Sequence, residues 1–182
     1  MKKIFTLLTA VSLGSFAFGQ TIMDIQTPGV SMGDTSQYYN QSVNTGGIVT
    51  AIKSNGYHIQ DGAGAWNGIF VFDSGNTPTL GDSVTLTADV DEFFGLTELK
   101  NVTAYTVTSS GNTLPAATVV TTLAANDEQY EGVLLQVTNA QALTTPNGFG
   151  EWDVNDGSGV LTIDDAMYAF TPVVSCLLYT SD

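Results

Sequence analysis

The chain has no arginine, one cysteine (Cys176) and one histidine (His58) among its 182 residues. A single cysteine excludes an internal disulfide, so any folded part relies on core packing. A single histidine with no partner residues at ligand spacing leaves no Ser/His/Asp set and no His-based metal cluster. Positive charge is nearly as scarce. Lys2 and Lys3 sit at the extreme N-terminus, and only Lys53 and Lys100 remain to face 18 acidic residues. Without Lys2 and Lys3 the formal net charge falls from −14 to −16. Such a charge repels phosphate backbones and resists self-association. Helical periodicity is missing after residue 19.

What the chain has in quantity is threonine, at 25 positions, with valine, isoleucine, tyrosine and phenylalanine beside it and 19 glycines. β-branched and aromatic enrichment with frequent glycine predicts an all-β fold. Hydrophobic content of 43% is that of a folded chain and not of an acidic solvating tail. Met1-Lys2-Lys3, the apolar stretch Ile4 to Phe18 and the small residues Ala17 and Gly19 before Gln20 have the pattern of a signal peptide over residues 1–19. Fifteen apolar-rich residues are too few to span a bilayer, and no stop-transfer segment follows, so no membrane attachment is expected after cleavage. No cysteine sits at the cleavage site, which argues against a lipid anchor. The expected location is secreted, extracellular or on the cell surface of a Gram-negative bacterium.

One local pattern occurs twice. Tyr39 to Ile52, continuing to Tyr57-His58-Ile59-Gln60-Asp61-Gly62-Ala63-Gly64, is echoed by Tyr130 to Leu143 and Trp152-Asp153-Val154-Asn155-Asp156-Gly157-Ser158-Gly159. The offset is 91 residues at the start and 95 at the Asp-Gly-x-Gly turn, which places a four-residue insertion near Asn147 to Glu151. An internal repeat of this length predicts two copies of one small β module. The expected divisions are a first module at 20–108, a linker at 109–127 and an incomplete second module at 128–174. Ser175 to Asp182 abandons the pattern and resembles the translated read-through of a sequencing adapter, so 175–182 is expected to be a non-native tail. The second module would then hold about three strands of five and present an exposed edge.

In the first module the strands read as Gln41 to Lys53, Tyr57 to Asp61, Gly68 to Phe72, Ser83 to Val90, and a fifth opened by Phe93-Phe94-Gly95-Leu96 and running to about Val107. Gly46-Gly47 inside the long first strand predicts a bulge or sharp coil that lets one strand serve both ends of a barrel. Asn55-Gly56 is a strong hairpin signal. Five strands, a coiled first strand and a meander of hairpins describe a small closed barrel.

The blocks Gly56-Tyr57-His58-Ile59-Gln60-Asp61, Asn67-Gly68-Ile69-Phe70-Val71-Phe72, Leu80-Gly81-Asp82-Ser83-Val84 and Glu92-Phe93-Phe94-Gly95-Leu96-Thr97-Glu98-Leu99 resemble the OB-fold module of secreted bacterial nucleases. There such modules precede an endonuclease/exonuclease/phosphatase-type catalytic domain. Similar modules occur in exported Bacteroidetes proteins that end in a type IX sorting domain. The resemblance covers about Ile22 to Pro172. It implies a five-stranded OB-fold barrel followed by a second, truncated OB-like module, at the N-terminus of a secreted protein. The catalytic residues of those nucleases lie in a domain this sequence does not contain, so no catalytic residue is transferred.

If Ile59, Ile69 and Val71 point inward, His58, Gln60, Phe70 and Phe72 point outward, where OB-folds stack bases or sugars. These four are the candidate ligand-binding residues, although core packing is the commoner fate of strand aromatics. Asp153-Val154-Asn155-Asp156-Gly157 hints at a calcium loop but fails the EF-hand spacing and reads as a plain hairpin. No cofactor is expected for this segment; any divalent cation is expected only in the parent protein. Partners are nucleic acid or carbohydrate, weakly held on charge grounds, with a monomer or loose association through the exposed edge. The function expected is a non-catalytic binding or spacer segment. A purely structural surface module is the alternative, and an enzyme in its own right the third.

Overall fold

A computed structural model describes residues 19–167 of the chain. The expectations for residues 1–18, for the end of the second module at 168–174 and for the tail with Cys176 lie outside the described residues.

The protein is all-β, as composition predicts. Strands β1 (Ser42–Lys53), β2 (Gly56–Gln60), β3 (Gly68–Phe72), β4 (Ser83–Phe93) and β5 (Leu96–Ser109) close into a barrel in the order β1-β2-β3-β5-β4. All contacts are antiparallel except β3 with β5, which run parallel. Period-two alternation decides what fills the barrel. Val84, Leu86, Ala88 and Val90 of β4 point in, beside Tyr57, Ile59, Ile69, Val71 and Leu99. Each large aliphatic side chain fully buried in this way contributes about 1.5–3 kcal/mol. The fifth strand departs from expectation. Phe93 ends β4, Phe94-Gly95 forms the turn, and β5 begins only at Leu96.

The paired glycines do what the sequence implies, with the bulge displaced. Ser42 to Ile48 of β1 pair with β4, and Ile48 to Lys53 pair with β2, so one strand closes the barrel on both sides. A Cβ at Gly46 would overlap the Val84 carbonyl, and one at Gly47 would meet the Gln60 carbonyl at 2.6 Å. The register shift falls between Val49 and Ala51.

Helix α1 (Ile22–Gln26) corrects the expectation of no helix in this part of the chain. Five residues are too few to show periodicity, but Thr21 and Asp24 form a reciprocal capping box that closes the first turn. Ile22 and Ile25 belong to the barrel core. The Ile22 amide donates to Asp61 Oδ2 at 2.8 Å, and Gln26 Nε2 donates to the Gly68 carbonyl at 2.6 Å.

The rest of the described chain forms β6 (Thr118–Val119), β7 (Leu135–Gln136), β8 (Gln141–Ala142), β9 (Glu151–Asn155) and β10 (Val160–Asp164). β6 pairs with β7, and β10-β9-β8 form a second sheet. The stretch read as a linker is therefore structured: it holds β6 and a 3-10 turn at Ala124–Asn126. Its contacts match those of α1. The Thr122 amide donates to Asp156 Oδ2 at 3.1 Å, where Ile22 uses Asp61. Asn126 Nδ2 donates to the Val160 carbonyl at 3.1 Å, where Gln26 uses Gly68. Gln60 pairs with Gly68 across β2 and β3 as Asn155 pairs with Val160 across β9 and β10.

A strap, residues 129–134, ties the second region to the outer wall of the barrel. The Trp66 amide donates to the Gln129 carbonyl at 2.7 Å, and the Leu134 amide to Gln60 Oε1 at 2.7 Å. Gly132 lies so close to Gly68 that a Cβ on Gly68 would overlap the Gly132 carbonyl. Beside it Glu131 accepts from the Thr97 amide at 3.4 Å. Burial first, then Glu128, pushes the Glu131 carboxyl up to about 7.

Candidate functional site

The outer faces of β3, β5 and β4 build an aromatic cleft of about 420 Å³. Outward alternation presents Phe70 and Phe72 from β3, Leu96, Glu98 and Lys100 from β5, and Asp91 and Phe93 from β4. The ladder sets these side by side: Phe70 pairs with Glu98, Glu98 with Asp91, and Leu96 with Phe93. Lys53, the last residue of β1, and Asn55 in the β1–β2 turn close the remaining side. Gly56 lets β2 approach β3 beneath the Phe70 ring, since a Cβ there would overlap the Val71 carbonyl and meet that ring at 2.9 Å.

Charge inside the cleft is unusual for this chain, because both lysines of the described residues line it. Lys100 forms an ion pair with Asp91, the one salt bridge among the described residues, and Asp91 holds its ammonium above the usual range. Lys53 makes no ion pair among the described residues; its Nζ lies 5.7 Å from the centroid of the Phe70 ring. Glu98 is buried, and burial followed by Asp91 raises its carboxyl while Lys100 lowers it.

The aromatic groups are partly free. Phe72 is 50% exposed and Phe93 58%. Phe94, at the tip of the β4–β5 turn, is 97% exposed and packs edge-on against Phe93 at 4.8 Å. Phe94 has φ 53° and Gly95 φ 90°. Turns with two positive φ values favour Asn-Gly, so phenylalanine in the left-handed region stores backbone strain of about 1–2 kcal/mol.

The four residues expected at a ligand site are divided. Phe70 and Phe72 line the cleft, whereas His58 and Gln60 lie along β2 towards the strap. The His58 ring is 5.0 Å from Phe70, and burial, then Lys53, lowers its pKa to about 4, so it is neutral at pH 7. Gln60 is fully buried, accepting from Leu134 and donating to the Gly62 carbonyl at 3.0 Å. Its amide is committed to holding the strap. Sequence reasoning missed Lys53, Asp91, Phe93, Phe94, Leu96, Glu98 and Lys100 as one group. The usable signal was the even spacing of Leu96, Glu98 and Lys100, which puts them on one face of β5.

The Asp153 to Gly157 turn is satisfied internally. Asp156 accepts from Thr122 and Ser158, which lowers its carboxyl pKa, and Asn155 Oδ1 accepts from the Gly157 amide at 2.6 Å. Among the described residues no group of three His, Cys, Asp or Glu side chains is arranged to hold a metal ion. No helix among them is long and apolar enough to cross a membrane.

Fold and site together define an all-β barrel carrying an aromatic, charge-balanced cleft. Comparison with known proteins returned no matching family model, no matching curated protein and no matching solved structure.

Proposed function

We propose that this chain is a non-catalytic binding segment of an exported bacterial protein, built as an OB-type barrel followed by a second unit of the same design. The aromatic cleft carries this reading. It lies between the β1–β2 and β4–β5 turns, beside the strands on which OB barrels hold oligonucleotides or oligosaccharides. The barrel order β1-β2-β3-β5-β4 and the four sequence blocks resembling nuclease-associated modules support the same assignment. Three exposed phenylalanines and a left-handed Phe94 are costly to maintain unless they meet a ligand. Among the described residues no nucleophile–base pair lines the cleft, and the resembled nucleases keep their catalysis in another domain.

The spacer reading has its own support, since the strap covers the His58–Gln60 end of the same wall. A thermal-shift screen of sugars and oligonucleotides against the full chain separates the two. A stabilising ligand whose effect disappears in Phe72→Ala and Phe93→Ala supports binding. Stabilisation by no compound at millimolar concentration leaves the spacer.

A further inference from the structure

Both cations of the described chain lie in one cleft, yet their roles differ. The Lys100 ammonium is neutralised by Asp91. Lys53 has no carboxylate within ion-pair distance among the described residues, and its ammonium lies over the Phe70 ring, 5.7 Å from the centroid. The cleft thus offers one uncommitted positive charge in a molecule that is otherwise strongly acidic. Around it stand the side chains of Phe72 and Phe93 and the carboxylates Asp91 and Glu98.

Each part selects for a different property of a ligand. Half-exposed phenyl rings stack on flat apolar faces, which pyranose rings and bases both present. Carboxylates accept hydrogen bonds from hydroxyl groups and repel phosphodiesters. The Lys53 ammonium can neutralise a single anion, and the net charge disfavours a dense polyanion. A base-stacking strand would bring one phosphate per nucleotide against Glu98 and the Asp91–Lys100 pair, with only Lys53 left to meet them. A sugar brings hydroxyl donors to the same carboxylates.

We infer that the cleft binds a short glycan carrying a single carboxylate, an acidic sugar linked to a neutral one, with that carboxylate on Lys53 and the rings on Phe72 and Phe93. The inference rests on the binding reading above and narrows it to one chemical class.

The test is calorimetric titration of the full chain in EDTA at pH 7 and low salt. Three probes are used: glucuronic acid linked to a neutral hexose, the matching neutral disaccharide, and a short oligothymidylate. The expected result is acid-sugar affinity about tenfold above that of the neutral disaccharide. Lys53→Met should erase that preference, and Phe72→Ala should weaken both sugars. Equal affinity for the two sugars, unchanged in Lys53→Met, would overturn the charge assignment and leave the binding reading intact. Preference for the oligonucleotide would overturn the ligand class. Absence of binding by all three would overturn the inference, and the screen above would then decide whether the binding reading survives. Loss of fold in Lys53→Met is checked by its melt, and Lys53→Gln serves as the second variant.

Discussion

The barrel and the second β region contain the same two-stranded wall in different surroundings. Across β2 and β3, Ile59 faces Ile69 and Tyr57 faces Val71; across β9 and β10, Val154 faces Leu161 and Trp152 faces Ile163. All four barrel residues are essentially inaccessible, while of the matching four only Trp152 is buried. The hydrophobic pattern is alike in both. What differs is the cover: β4 and β5 lie over the first wall, and among the described residues no such pair lies over the second. Period-two alternation therefore records which face is to be covered, and burial depends on the strands that do the covering.

The largest effect that could break this comparison is a pair of truncations. Ile59→Ala should cost about 3 kcal/mol, as a fully enclosed cavity does, and Val154→Ala about 1 kcal/mol at its half-covered site. Urea titration of each variant checks this, and equal costs would show that the second wall is as well packed as the first. Next comes Gln60→Leu, which leaves the Leu134 amide without its acceptor for about 1–2 kcal/mol. Exchange of that amide should accelerate about tenfold. Asn155→Leu, at the matching position, should leave it unchanged.

Acid should separate the two caps. Asp61 is raised by burial, so its protonated form is favoured and its contribution is present in acid, then lost as pH rises through its folded value. Asp156 is lowered by its hydrogen bonds to Ser158 and Thr122, so its contribution is present above about 3.8 and lost as pH falls further. As pH falls below about 3.8 the Thr122 amide should progressively lose protection in exchange measurements while that of Ile22 keeps it. Glu131 gives a third sign. Its raised carboxyl favours strap docking below about 4.5, and that contribution fades as pH rises to about 7. Glu131→Gln should flatten the exchange profile of Thr97 across that window; an unchanged slope would remove Glu131 from the strap. The smallest effect lies within the barrel. Phe94→Asn should relieve the left-handed turn and stabilise the protein by about 0.5–1 kcal/mol, raising the barrel's denaturation midpoint without altering amide protection in β9 and β10.

The strands of the barrel were legible because each announces itself locally. Asn55-Gly56 fixes one turn, and Val84, Leu86, Ala88 and Val90 mark one face without ambiguity. The boundary at Phe93 was obscured because an aromatic occupies a turn position that normally takes asparagine. Helix α1 was hidden for a different reason: its stability comes from a capping box and two buried isoleucines, not from length. The candidate site was half legible. Alternation put Phe70 and Phe72 outside, but it could not show that Gln60, also facing outward, meets a strap 74 residues further along the chain.

The position of α1 has a consequence for how the barrel forms. Ile22 and Ile25 plug a core whose last fully buried contributor in sequence is Leu99, with Tyr105 packed against it, and β1 must meet β4 from one side and β2 from the other. No early hairpin can therefore enclose this core on its own, and ring closure must wait for partners far apart in sequence. Topologies dominated by such distant pairings fold in milliseconds to seconds.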